Sequence, residues 1–186
     1  GQRQMCRGES TRAARRTTAR AGVPEEPAAT ARWTPAAPVH LAQTLRVLAR
    51  GAEDPTVRVL GEDCVWITAR WKGLPVSARF SRVPQERETK PLERDVLAEA
   101  WGPGALAWLP NAPRWVGAAD DWTAFESSPA YGQLPASLTR ARHEHPGLRL
   151  PATGTVLDRA VVSVLEQRVT AIEAVRAHRA LLRWVG

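Results

Sequence analysis

TVRVLGEDCVWITARWKGLPVSARF, residues 56–80, holds three alternating apolar runs joined by short polar connectors. Val57 and Val59 fall on one face of the first run. Val65, Ile67 and Ala69 share a face of the second, with Trp66 and Thr68 opposite. Val76, Ala78 and Phe80 share a face of the third. A period of two belongs to extended backbone, where successive side chains point to opposite sides. The connectors GED (61–63) and WKGL (71–74) have the length of hairpin turns. The economical arrangement is an antiparallel meander with one apolar face.

A helix and a further strand flank this block. In VHLAQTLRVLARG (39–51), Leu41, Leu45 and Leu48 form one helical stripe, with Gly51 as a C-terminal stop. A charged stretch, SRVPQERETKPLERD (81–95), leads to VLAEAWG (96–102), a further strand or the lead-in to a helix. Residues 33–118 therefore read as a small α+β domain, with Trp33, Trp66 and Trp101 as core residues. From residue 103 the texture changes to Trp, Pro and Gly, which predicts short helices with sharp corners. Asp120 and Asp121 precede a helix starting at Trp122 and read as its N-terminal caps. LPASLTRARHEHPG (134–147) reads as a polar helix stopped by Pro146 and Gly147. His143 and His145 are two residues apart and share no helical face, so they make a poor metal pair. Residues 1–32 contain no aromatic residue and seven arginines against three glutamates. Such composition cannot bury enough surface to offset ordering, and a disordered basic tail is expected.

The bulk numbers constrain the partner. The 186-residue chain has a formal net charge of +7 and a pI of about 10.8. That balance suits a polyanion, nucleic acid first and an acidic membrane surface second. Lys72 and Lys90 are the only lysines among 26 basic residues. Arginine, alanine and proline excess is also what G+C-rich codons produce, so the charge has a second source. Cys6 and Cys64 are the only cysteines, which leaves no disulfide framework or zinc cluster and fits a reducing cytosol. No apolar run nears the ~20 residues of a membrane span, and no secretory signal core is visible.

The C-terminal stretch DRAVVSVLEQRVTAIEAVRAHRALLRWVG (158–186) looks at first like one rod. Val156, Leu157, Ala160, Val161, Val164 and Leu165 keep helical spacing, the mark of a buried stripe. The pattern then restarts. Thr170 followed by Glu173 is a capping box, so two helices, about 155–166 and 171–184, meet at a corner of Gln167, Arg168 and Val169. Free amides at the second helix start would favour an anion, and a long side chain at the corner would form a wedge. An ordinary helix–helix loop has the same pattern.

Residues 145–186, HPGLRLPATGTVLDRAVVSVLEQRVTAIEAVRAHRALLRWVG, resemble the start of the catalytic domain of DNA-3-methyladenine glycosylase II proteins, members of the helix-hairpin-helix DNA glycosylase superfamily. The PGLRLP lead-in, the AV…VLEQ helix and the VT…EA restart carry the likeness. The upstream α+β unit resembles that family's N-terminal domain in layout. The fold implied is α+β: a small antiparallel-sheet domain with helices, then, over 119–186, the first helices of an incomplete all-α domain. The function implied is base-excision repair, in which an alkylated base is flipped out of duplex DNA and its N-glycosidic bond hydrolysed. The partner implied is double-stranded DNA bearing alkylated bases, bound by a monomer in the bacterial cytosol. No cofactor, metal or membrane is implied.

In that family the residue after the Gln of this motif is placed as the wedge. That position is Arg168 here, beside Gln167 and Thr170; better-known members carry an aliphatic residue there. The family's phosphate-gripping hairpin and catalytic carboxylate have no counterpart through Gly186. No catalytic residue is therefore assigned, and this chain is expected to be inert and to bind DNA weakly. Two other classes fit the same residues: a non-catalytic damage-sensing module, and a protein-interaction domain using its C-terminal apolar stripe.

Overall fold

In a computed structural model, residues 26–83 and 91–185 are described. Five strands form one antiparallel sheet: β1 (Ala29–Trp33), β2 (Val57–Gly61), β3 (Cys64–Trp71), β4 (Leu74–Arg82) and β5 (Val96–Trp101), in the spatial order β1-β5-β4-β3-β2. Strands β2 to β5 are the expected meander, extended by one strand. Trp71 pairs with Leu74, and the two residues between them, Lys72 and Gly73, both have positive φ, at 51° and 81°. Two such residues make the turn whose twist matches that of the strands it joins. The expected inner face holds: Val65, Ile67, Val76, Ala78 and Phe80 are buried, as are Val96, Ala98 and Ala100 on β5.

β1 corrects the expected extent of the tail. Residues 29–32, assigned to a disordered 1–32 segment, pair with β5 from Ala29↔Ala100 to Trp33↔Val96. Composition counts side-chain burial and misses what a sheet edge offers: a row of unpaired main-chain groups. Two side-chain bonds pin the strand: Arg32 Nε donates to Asp95 at 2.6 Å, and Thr34 Oγ1 donates to the same carboxylate at 2.6 Å. Residues 1–25 of that tail, and 84–90 of the charged stretch, lie outside the described residues.

Helices cover the inner face. α1 (Leu41–Arg46) starts at His40, whose Nδ1 accepts from the Gln43 amide at 3.2 Å. It buries Leu41, Thr44 and Leu45 over β2 and β3. Gly51 lies beyond the helix end, in a turn with φ 82°. α2 (Ala105–Trp108), a short 3-10 turn over Leu109–Asn111 and α3 (Ala112–Trp115) pack on the same face. Their corners include Gly102, at φ 94°, where a Cβ would sit 2.8 Å from the Pro75 carbonyl oxygen. WGPGALAW thus turns the chain and then continues into helix.

The tryptophans divide differently from expectation. Trp108 and Trp115 are in the core, with Phe80 edge-on to Trp108 at 5.8 Å and Trp108 edge-on to Trp115 at 5.6 Å. Trp33 packs at the core's margin. Trp66 and Trp101 lie on the opposite face of the sheet, stacked at 4.9 Å between centroids. Arg79 lies within 6 Å of both rings and pairs with Glu99.

The rest of the chain is helical: α4 (Thr123–Glu126), α5 (Pro129–Gly132), α6 (Ala136–Glu144), α7 (Val156–Leu165) and α8 (Ala171–Val185). The capping pair splits its roles. Asp121 accepts from the Thr123 amide at 2.9 Å, which lowers its pKa, whereas Asp120 accepts from the Leu150 amide at 2.5 Å. Arg149 joins the same junction, its Nε donating to the Pro38 carbonyl at 3.0 Å and its own amide to Thr44 Oγ1 at 3.2 Å. Among the described residues no helix is long and apolar enough to cross a membrane.

Candidate nucleic-acid interface

The corner read from the sequence is present. α7 ends at Leu165 and α8 begins at Ala171, so the rod is broken. At the end of α7, the Glu166 amide bonds back to the Val162 carbonyl at 3.0 Å and the Gln167 amide to the Val164 carbonyl at 3.1 Å. Arg168 then takes φ 58°, one of two non-glycine residues with positive φ among the described residues. A left-handed residue turns the chain out of the helical path, at a cost of roughly 1–2 kcal/mol for anything but glycine.

The capping box closes as its spacing predicts. Glu173 accepts from the Thr170 amide at 2.9 Å and from its hydroxyl at 2.8 Å, and the Glu173 amide points at Thr170 Oγ1 at 3.4 Å. The amide bond, and then the hydroxyl bond, hold the Glu173 carboxyl below its ordinary range. One consequence corrects the anion-site reading. The positive end of α8 already has a carboxylate of its own, so an incoming phosphate meets a like charge there. Thr170 is committed to this cap and fixes where the helix starts.

Gln167 and Arg168 are left as the outward groups of the corner. Both are exposed, and the Arg168 guanidinium has no polar partner among the described residues. The three residues named from the sequence are thus together, in two roles: Thr170 builds the corner, while Gln167 and Arg168 stand free on it.

The corner is held against the sheet domain by the turn after α1. Arg50 Nε pairs with Glu166 at 3.0 Å, and Arg159 Nη1 donates to the Leu48 carbonyl at 3.2 Å. Val175 rests on Gly51, where a Cβ would sit 3.3 Å from its Cγ1. Arg179 pairs with Glu53. His178 Nδ1 lies 4.0 Å from Asp54, whose buried carboxylate accepts from the Arg50 amide (2.6 Å), the Thr56 amide (2.7 Å) and the Thr56 hydroxyl (2.5 Å). In the sequence, Gly51 gives this turn only the signature of a helix stop. The acidic pair Glu53–Asp54 after Gly51, facing the arginines of α8, was the signal available.

The packing face of α7 differs from the stripe read in the sequence. Val162 is its buried residue and Arg159 is half-buried. Val156 and Leu157 are 80% and 75% exposed, and Val164 is also exposed. On α8, Ala174 is buried while Ile172 and Trp184 are exposed. The apolar period is real, but among the described residues nothing covers that side. Of the other candidates, His145 Nδ1 lies 3.2 Å from Gln43 Nε2. No group of three or more His, Cys, Asp or Glu residues is placed to hold a metal ion among the described residues. Neither protein-family models nor curated proteins give a match to this chain.

Proposed function

We propose that this chain is the N-terminal part of a DNA glycosylase that removes alkylated bases, and that the α7–α8 corner is its tool for opening a duplex. On this reading the α+β unit leads into the first helices of the glycosylase domain, and the protein works in the cytosol on double-stranded DNA. The supporting observation is Arg168: exposed, without a polar partner among the described residues, and held in a left-handed conformation. The left-handed backbone ends α7 and turns the chain, and it carries outward a side chain that no described residue engages, which leaves the guanidinium available to a group outside the chain. A guanidinium is planar and can stack on a base or donate to the orphaned partner base. Filling the vacated stack offsets the few kcal/mol that flipping costs. No carboxylate of this chain is assigned to bond cleavage.

The test uses a duplex with 2-aminopurine beside an alkylated base. The wild-type chain should raise the 2-aminopurine fluorescence by unstacking it, and Arg168→Ala should bind without that rise. Equal signals from the two proteins would reject the corner as a wedge. The exposed Val156, Leu157, Val164 and Ile172 support a second reading, a helix-docking surface for another protein. It predicts association that is insensitive to salt and indifferent to DNA.

A further inference from the structure

The corner is not the end of the cationic surface. α8 carries Arg176, Arg179 and Arg183 at helical spacings of three and four residues, which places them on one side of the helix. Together with Ala180 they line an open cleft of about 320 Å³. Ala180 contributes only a methyl group, so the space between the guanidinium groups stays open. Arg176 and Arg183 are exposed and have no polar partner among the described residues. Arg179 differs: its pairing with Glu53 fixes its position and leaves it part-neutralised. The nearest acid on the same helix, Glu173, is turned to its own cap.

We infer that this cleft is a binding site for the phosphodiester backbone of duplex DNA, a contact separate from the corner. The inference takes its partner from the glycosylase reading. Seven residues separate Arg176 from Arg183, which is roughly 10 Å of helix at ~1.5 Å per residue. One DNA strand presents a phosphate about every 3.4 Å of axis, with successive phosphates also displaced around the duplex, so that length is enough to reach neighbouring phosphates of one strand. Arginine suits the task because its fork of N–H donors pairs with phosphate oxygens in two-point contacts. The stripe starts within two turns of the helix end that Arg168 precedes. The cleft would hold the strand while the corner works on the stack.

The experiment measures the affinity of the intact chain for an unmodified duplex as a function of salt. Each phosphate contact contributes about 0.9 to the slope of log affinity against log salt. Arg176→Gln with Arg183→Gln should therefore give a slope shallower by about 2. Ala180→Glu is a second, independent variant: it puts a carboxylate into the cleft, leaves every arginine in place, and should weaken binding at least tenfold at low salt. Arg168→Ala should keep the wild-type slope within about one unit and lose only the 2-aminopurine signal. An unchanged slope in the double variant, with Ala180→Glu also at wild-type affinity, overturns the cleft and leaves the corner reading untouched. Altered slopes with an Arg168→Ala signal equal to wild type overturn the corner and leave the cleft standing. Retention on vesicles of anionic lipid, with no retention on duplex at low salt, overturns the cleft as a DNA site.

Discussion

Replacing Arg168 by glycine and, separately, by alanine divides backbone strain from side-chain function. Both variants remove the guanidinium, which has no polar partner among the described residues, so Arg168→Ala should alter stability by no more than about 0.5 kcal/mol. Glycine also relieves the φ of 58°, a gain of about 1–2 kcal/mol over any L-residue. Against this stands the extra freedom glycine gives the unfolded chain, about 0.4–1 kcal/mol. The glycine variant should therefore exceed the alanine variant by about 0.5–1 kcal/mol. For a chain of this length that is roughly a 1–4 °C higher Tm. Urea unfolding followed by circular dichroism gives the global difference, provided the transition is two-state. Hydrogen exchange at the Ala174 amide, bonded to the Thr170 carbonyl at 3.0 Å, reports the start of α8 locally. Both variants should fail equally in the 2-aminopurine assay. Arg168→Gly less stable than Arg168→Ala would refute the strain argument. A wild type more stable than both by over ~1 kcal/mol would show that the side chain has a folded-state partner.

Three further outcomes follow from other parts of the molecule. Gly117 has φ 75° and a Cβ there would collide with Cβ of Arg149, so Gly117→Ala should cost about 2–4 kcal/mol in denaturant unfolding. Asp54→Ala strands the Arg50 and Thr56 amides beneath α8 and should cost about 2–4 kcal/mol, with Asp54→Asn losing less. It should also speed exchange at Ala174, and unchanged exchange there would sever the turn from the corner. Glu173 has a folded pKa below its unfolded one, so its contribution to the start of α8 is complete above the ordinary carboxylate range. That contribution fades as pH falls through the folded value. An NMR titration of Glu173 should show the depressed midpoint, raised only in part by Thr170→Ala, which removes the hydroxyl bond and keeps the amide bond.

The parts of this protein that were legible in its sequence are those set by neighbours along the chain. Alternation in residues 56–80 fixes three strands and their inner face, because the extended backbone has a period of two. Thr170 and Glu173 fix the restart of α8, because a capping box closes over three residues. Tertiary structure decided the rest. β1 exists because the edge of β5 supplies hydrogen-bond partners from over 60 residues away, which local composition cannot register. Trp66 and Trp101 meet behind the sheet because register brings β3, β4 and β5 together there. A helical period names an apolar face on α7 but not its cover, and Val162 is inside while Val156 and Leu157 are out. The free state of Arg168, and the arginines that share the α8 cleft, were likewise decided in three dimensions. Whether a charge has a partner depends on which distant carboxylates folding brings within reach: Glu53 reaches Arg179, and among the described residues none reaches Arg168, Arg176 or Arg183.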